Sequence, residues 1–158
     1  VPDTNSAEPN LTLEQRVQKL EELIRNMNQQ LVFSYPPPNT IRWIMYRALA
    51  PADNHTVAAV GGTYVMPING TLIVAGATVD TAGTTGTGIV DLNKNGTTML
   101  ATDKVRFDTT EDTSRTAATS AKVTSKLLVI GDKITCDIDT IQTTPAKGLT
   151  WFLGVAEA

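Results

Sequence analysis

The stretch GIVDLNKNGTTML, residues 88–100, decides how the chain is read. Its centre, DLNKNG, places Asp91, Asn93 and Asn95 at alternate positions and follows them with Gly96. A calcium-binding EF-hand loop opens in the same way, but it needs a bidentate carboxylate at its twelfth position. Counted from Asp91, that position is Thr102, and Asp103 falls one residue late. Such a loop also sits between helices, whereas GIVDL and TTML are apolar and β-branched. Asn95-Gly96 readily supplies the positive φ angles of a tight hairpin turn. The stretch therefore reads as two short strands joined through Asn93, Lys94, Asn95 and Gly96, with no metal site.

Working outward, the same grammar repeats across residues 39–158. About one residue in six is Thr, which favours strands over helices. Short runs bounded by Gly, Pro, Asn and Asp predict strands at 40–49, 63–66, 71–79, 88–93, 97–101, 104–107, 120–129, 132–141 and 149–156. In DKITCDID, residues 132–139, Ile134, Cys136 and Ile138 alternate with Thr135, Asp137 and Asp139, so the first set is expected in the core. The polar segment 108–118 is expected as a surface loop. Nine short strands in so few residues predict a mainly β fold, an antiparallel jelly-roll-like β-sandwich spanning 40–158.

The N-terminal part differs. Residues 1–10 are polar with two prolines and read as a flexible arm. Residues 11–33 read as a helix, with Thr12 and Gln15 spaced as a capping box. Its apolar residues Leu13, Val17, Leu20, Ile24, Met27 and Leu31 step by four and three without a break. Val17, Ile24 and Leu31 then take a positions and Leu13, Leu20 and Met27 take d positions. A stripe this narrow predicts a coiled coil rather than a helix packed on its own domain. β-branched a residues with Leu at d lean toward two strands. RVQKLE, residues 16–21, instead resembles the Arg-h-x-x-h-Glu trimerisation signature (h apolar), with Arg16 at g reaching Glu21 at e of a parallel neighbour. The expectation is a parallel homotrimer. Residues 34–39, with Tyr35-Pro36-Pro37-Pro38, read as a stiff extended spacer.

The residues that carry chemistry elsewhere do not assemble a catalytic motif here. Asp137 and Asp139 share a strand face at a spacing that glycosidic chemistry can use, but nothing beside them raises a carboxyl pKa. A cation site built from them with Asp132 or Asp80 is disfavoured too. His55, the single histidine, lies in a loop without a nucleophile elbow. With one His and one Cys, a zinc site of the usual kind is not expected. Cys136 alternates with isoleucines and is expected as a buried, inert thiol that forms no intrachain disulfide. GTTGTG, residues 83–88, lacks the P-loop lysine and reads as a flexible inter-strand loop. Four Asn-x-Thr triplets, beginning at Asn10, Asn54, Asn69 and Asn95, arise easily in a Thr-rich chain with Asn-Gly turns. Trp43, Tyr46, Trp151 and Phe152 are expected in the core or at a subunit interface. The net charge of −3 gives no electrostatic reason to bind nucleic acid. No apolar run is long enough to span a bilayer as a helix. No secretory leader is read, although a chain beginning at Val1 leaves room for one already removed. No catalytic residue, metal or cofactor is expected.

The segment from about 71 to 154 resembles the β-sandwich domains of tailed-phage virion proteins. The resemblance lies in TLIVAGATVDTAGTTGTG, IVDLNKNGTTML and VIGDKITCDIDTI, and it covers about half the chain. Residues 1–50 are not part of it, though a coiled coil and a spacer suit a trimeric virion protein with a head on a stalk. The resemblance implies a structural, non-enzymatic role at the virion surface. The chain would be a fibre or spike whose head faces outward and meets host-surface carbohydrate through loops such as 82–88 and 108–118. Its other partners would be its own copies and capsid or tail proteins. The alternative is a capsid decoration protein that stabilises the head, and a secreted trimeric ligand or a hydrolase stands further off.

Overall fold

The computed structural model describes residues 12–34 and 40–157, and for 25–34 the backbone alone. The expected arm at 1–10 lies outside the described residues, as does the spacer apart from Ser34. So do the side chains of Met27 and Leu31. The chain divides into two compact units, Val1–Pro37 and Pro38–Ala158.

Among the described residues the first unit holds one helix, α1 (Leu13–Ser34). Its start is set by reciprocal bonds. The Gln15 amide N–H donates to Thr12 Oγ1 at 3.3 Å, and the Thr12 N–H donates to Gln15 Oε1 at 3.0 Å. Two amide donors that a helix start leaves unpaired are thereby satisfied.

The second unit holds nine strands: β1 (Ile41–Asn54), β2 (Ala58–Val65), β3 (Gly70–Thr78), β4 (Gly88–Lys94), β5 (Thr97–Thr98), β6 (Val105–Phe107), β7 (Leu127–Leu128), β8 (Lys133–Thr140) and β9 (Lys147–Glu157). They form two antiparallel sheets. One has the order β1-β9-β3-β7, and the other the order β2-β8-β4-β5, with β6 also on β4. The pairing has a simple logic: β1 meets β9, β2 meets β8, β3 meets β7, and β4 meets β5 and β6. The first half of the unit thus runs as an antiparallel ribbon with the second half. Two further pairings, β3 with β9 and β4 with β8, roll the ribbon up.

The inward side chains of both sheets form one core. Ile44, Leu72, Ala77, Leu149, Trp151, Leu153 and Val155 come from the first sheet, and Val60, Val90, Leu92, Phe107, Ile134, Cys136 and Ile138 from the second. Trp151 lies at its centre, 5.3 Å from the Tyr46 ring and 5.6 Å from the Tyr64 ring.

Several boundaries differ from the sequence reading, each for a local reason. β1 runs on to Asn54 through Pro51, which is tolerable because β1 is an edge strand and its register slips between Leu49 and Asn54. β2 starts at Ala58 because Gly61 (φ +71°) kinks the strand without ending it. A Cβ at Gly61 would come within 2.8 Å of Ala48 Cα, so the bend needs glycine. The expected strand at 120–129 shrinks to β7. Its earlier part crosses between sheets, with Ala101 N–H bonding Lys122 O at 2.8 Å and Leu72 N–H bonding Lys126 O at 2.7 Å. The expected 97–101 strand is likewise cut to β5, and Leu100 makes an isolated bridge to Val123.

Between β4 and β5 the chain turns through Asn95 (φ +52°) and Gly96 (φ +82°), with Lys94 opposite Thr97. Two consecutive positive φ angles make this a type I′ turn, whose twist suits the flanking strands. A Cβ on Gly96 would meet nothing within 4 Å, so only backbone preference opposes a side chain there. Gly96→Ala should therefore destabilise by about 1–2 kcal/mol, the left-handed penalty of an L-residue. Urea unfolding with an unchanged m-value would measure it. A loss much larger than this would mean that the turn is held by more than its dihedral angles.

Candidate functional site

The register places Ile41, Val65, Gly70, Lys94, Lys133 and Glu157 at one end of the β unit, and Asn54, Ala58, Thr78, Gly88, Thr140 and Lys147 at the other. Segments 82–88 and 108–118 leave from the second end, opposite Ile41. The expected flexible loop at 83–88 is fastened: Thr84 N–H bonds Thr144 O at 3.1 Å, and Thr143 N–H bonds Thr85 O at 2.9 Å. Gly83 O accepts the Thr110 N–H at 3.0 Å, so the two segments are joined. The buried Gln142 amide donates to Asp108 O at 3.0 Å beneath them.

The outer face of the second sheet is polar and internally paired. Lys104 Nζ lies 2.7 Å from Asp91 Oδ2 and 2.7 Å from Asp139 Oδ2. Thr98 Oγ1 donates to Asp91 Oδ1 at 2.6 Å, and the Asn93 amide donates to Asp137 Oδ2 at 2.5 Å. The bond to Asp139, then that to Asp91, holds the Lys104 pKa above its ordinary value. Asp91 and Asp137 stand opposite each other in the ladder, and each is engaged separately, Asp91 by Lys104 and Asp137 by the Asn93 amide. Asn95 turns elsewhere, donating to Asp132 Oδ1 at 2.7 Å and accepting the Lys133 N–H at 2.9 Å. Asp91, Asn93 and Asn95 thus serve three separate contacts. Among the described residues no group of three or more His, Cys, Asp and Glu side chains is arranged to hold a metal ion. Asp137 and Asp139 are each engaged with a neighbour.

His55 is not a loop residue facing solvent. It is 3% exposed, and its Nε2 lies 2.9 Å from Gly148 O, so the neutral ring donates through Nε2–H. Burial pushes its pKa below the ordinary 6.5, and the bond to Gly148 opposes this only in part. Cys136 is buried between Ile134 and Ile138, and desolvation pushes its thiol up to about 12. That thiol stays protonated and unreactive near neutral pH.

Two apolar surfaces stand uncovered among the described residues, besides scattered exposed side chains such as Val65, Leu127 and Ile130. On α1, Leu13, Val17, Leu20 and Ile24 are 78%, 49%, 63% and 52% exposed, and Leu23 at a g position is also exposed. Arg16 and Glu21 make no ion pair within the chain among the described residues. On the first sheet, the outer face carries Ile41, Trp43 and Met45 from β1, which are 44%, 51% and 64% exposed. Ile73 and Val74, exposed at a bulge in β3, and Phe152 from β9 extend it. The Trp43 and Phe152 rings meet edge to face at 5.9 Å. Gly154 stands between Trp43 and Val74 in the ladder, and a Cβ there would be 2.7 Å from Val74 Cγ1 and 3.3 Å from Ile41 and Trp43. The large side chains therefore lean over glycine and make a continuous surface. A cleft of about 260 Å³ opens beside it, between Trp43, Val74 and Phe152 and the polar Ser114, Arg115 and Ser120. Of the four aromatics expected in the core or at a subunit interface, Trp151 is core, Tyr46 is half-buried against it, Phe152 is buried toward the outer face, and Trp43 is half exposed there.

The outer face has its own signal in the sequence. IRWIMY, TLIVAGA and GLTWFLGVA are apolar at nearly every position, the pattern of strands covered on both sides. Comparison of the chain with protein-family models, with curated proteins and with solved structures finds no match.

Two predictions follow from the buried groups. Lys104→Ala leaves the 5%-exposed Asp91 without its cation and should cost about 1–3 kcal/mol. Asp139→Asn removes a more exposed partner and should cost about 1 kcal/mol or less. Chemical denaturation of the two variants side by side gives the comparison, and equal losses would contradict it. For His55, folded and unfolded rings are both neutral above pH about 6.5, so the group adds no slope there. As pH falls through about 6.5 the unfolded chain takes up a proton that the folded chain resists, and stability drops until the folded pKa is passed. Tm should therefore decline below about pH 6.5, and His55→Gln should flatten that decline.

Proposed function

We propose that this chain is a structural subunit of a tailed-phage virion, a parallel homotrimer in which a coiled-coil stalk carries a jelly-roll β-sandwich head. The head acts as a fibre or spike knob that meets host-surface glycans.

The observation that carries self-association is the apolar stripe on α1. Four a and d residues on a helix with a completed capping box remain roughly half exposed or more in the single chain. A helix of this length is only marginally stable by itself in water, and burial of the stripe against like helices supplies what it lacks. Arg16 and Glu21, without an ion pair among the described residues, stand at the g and e positions of a parallel interhelical bridge.

The head reading is supported by the strand orders β1-β9-β3-β7 and β2-β8-β4-β5. A ribbon that pairs first strand with last, and so inward, supports the jelly-roll reading. That architecture recurs in viral capsid and lectin domains, an association of fold rather than a site argument. The virion assignment rests on the resemblance of residues 71–154. The outward role of segments 82–88 and 108–118 is supported by their place at the end of the β unit opposite Ile41, where the chain from α1 enters.

Light scattering should give three times the 16.9 kDa chain mass. The double variant Leu20→Asp, Ile24→Asp should shift that mass toward monomer without unfolding the β unit. Labelled protein imaged on virions should mark tail fibres or spikes, and the isolated protein should bind host cells. Head labelling without cell binding would replace this reading by capsid decoration. Absence from the virion would overturn both.

A further inference from the structure

We infer that the outer face of β1, β9 and β3, centred on Trp43, is an interface between copies of this chain. It rests on the self-association through α1 proposed above and names where the heads of those copies meet.

The first argument is the contrast between the two sheets. The second sheet carries on its outer face a polar network of Lys104, Asp137 and Asp139 around the buried Asp91. The first shows Ile41, Trp43, Met45, Ile73 and Val74, all at least 36% exposed. Contiguous exposed apolar side chains on one sheet face, rimmed by polar residues, mark a contact surface. Trp and Met are also residue types enriched at interface centres, where an aromatic anchor is desolvated by its neighbours.

The second argument identifies the occupant. Ile41 follows Ser34 by seven positions, a span of at most about 25 Å however the intervening residues are arranged. Chains joined in parallel through α1 therefore begin their β1 strands within reach of one another. The apolar residues lie at that beginning: Ile41 to Met45 cover only about 13 Å of strand. Two residues further on the same face becomes charged, where Arg47 pairs with Asp80. A partner arriving from elsewhere in solution has no reason to favour the tethered end. A second copy, delivered there by α1, does. Around a closed rotation axis the same patch on every chain can be covered at once. The adjoining cleft beside Trp43 offers room for a side chain of the neighbour.

The test uses the full chain and separates this interface from the helix. Trp151 is 1% exposed, so Trp43 is the tryptophan that an aqueous quencher reaches first in a single chain. At concentrations where light scattering gives the trimer, acrylamide should quench neither tryptophan efficiently. Met45→Cys, at an exposed position, should form interchain products with a short bis-maleimide, since buried Cys136 does not compete. Met45→Arg should weaken trimer association by about tenfold or more with α1 untouched. A trimer with freely quenched Trp43 would overturn the inference and leave the α1 reading standing. Shielded Trp43 without interchain cross-links would assign the cover to α1 of the same chain or to another protein, and would overturn it too. A monomer would remove the α1 reading itself and this inference with it.

Discussion

The fold depends on β9 being paired along both edges. It lies between β1 and β3, and its residues Leu149, Trp151, Leu153 and Val155 all enter the core. Until this last strand is placed, β1 has no partner in its sheet and β3 has only the two-residue β7 and the bridge from Thr78 to Thr113. The strand that begins the β unit is thus completed by the strand that ends it. Contacts of such sequence separation carry a large loop-closure cost before they contribute, which makes this kind of topology slow to form. The local hairpin at Asn95-Gly96 offsets part of that cost. It joins β4 to β5 across two residues, where little loop closure is needed, and leaves the other edge of β4 available for β8.

A two-sheet core satisfies only the inner faces. What each outer face then does is decided residue by residue. On the second sheet every outward carboxylate has a near partner, so that face is finished in water. On the first sheet the outward positions toward the Ile41 end are Ile, Trp, Met, Val and Phe, with Gly76 and Gly154 under the rings. Glycine in a strand weakens it unless something packs across the gap, and here Phe152 and Trp43 do so. The same arrangement that spares the strand also builds a smooth apolar surface. Local strand stability and the exposed patch are consequences of one choice of residues. α1 repeats the pattern in helical form, since its amphipathic face is left uncovered within the described chain.

Much of the strand content was legible because alternation is a local property. DKITCDID gave its inward and outward sets directly, and Asn-Gly fixed the turn. The capping box was equally local, three residues apart. Positions set by tertiary geometry were not legible. Gly61 reads as a breaker, yet it bends β2 against Ala48 and the strand continues. Residues 120–126 look extended, which they are, but they cross from one sheet to the other instead of joining a ladder. His55 sits in a polar context in sequence and is buried because Ala146 and Gly148 come to it from far along the chain. Trp43 is separated from Trp151 only by which face of the first sheet each occupies, and that follows from register, not from residue type.

The polar network on the second sheet has a structural use that needs no ligand. Buried ion pairs contribute little net stability, since desolvation consumes most of their Coulomb gain. Their effect on alternatives is larger. If β4 slipped one residue against β8, Asp91 and Asn93 would enter the core and Val90 and Leu92 would leave it. Asp91 would lose Lys104 and Thr98 together, and Asn93 would lose Asp137. Even a two-residue slip, which keeps the faces, would separate Asn95 from the Lys133 backbone that it bonds through both main chain and side chain. The Asp, Asn and Asn of DLNKNG, spaced like cation ligands, instead tie β4 and its turn to neighbouring segments at three alternate positions. They fix the register on which the inward positions of the core depend.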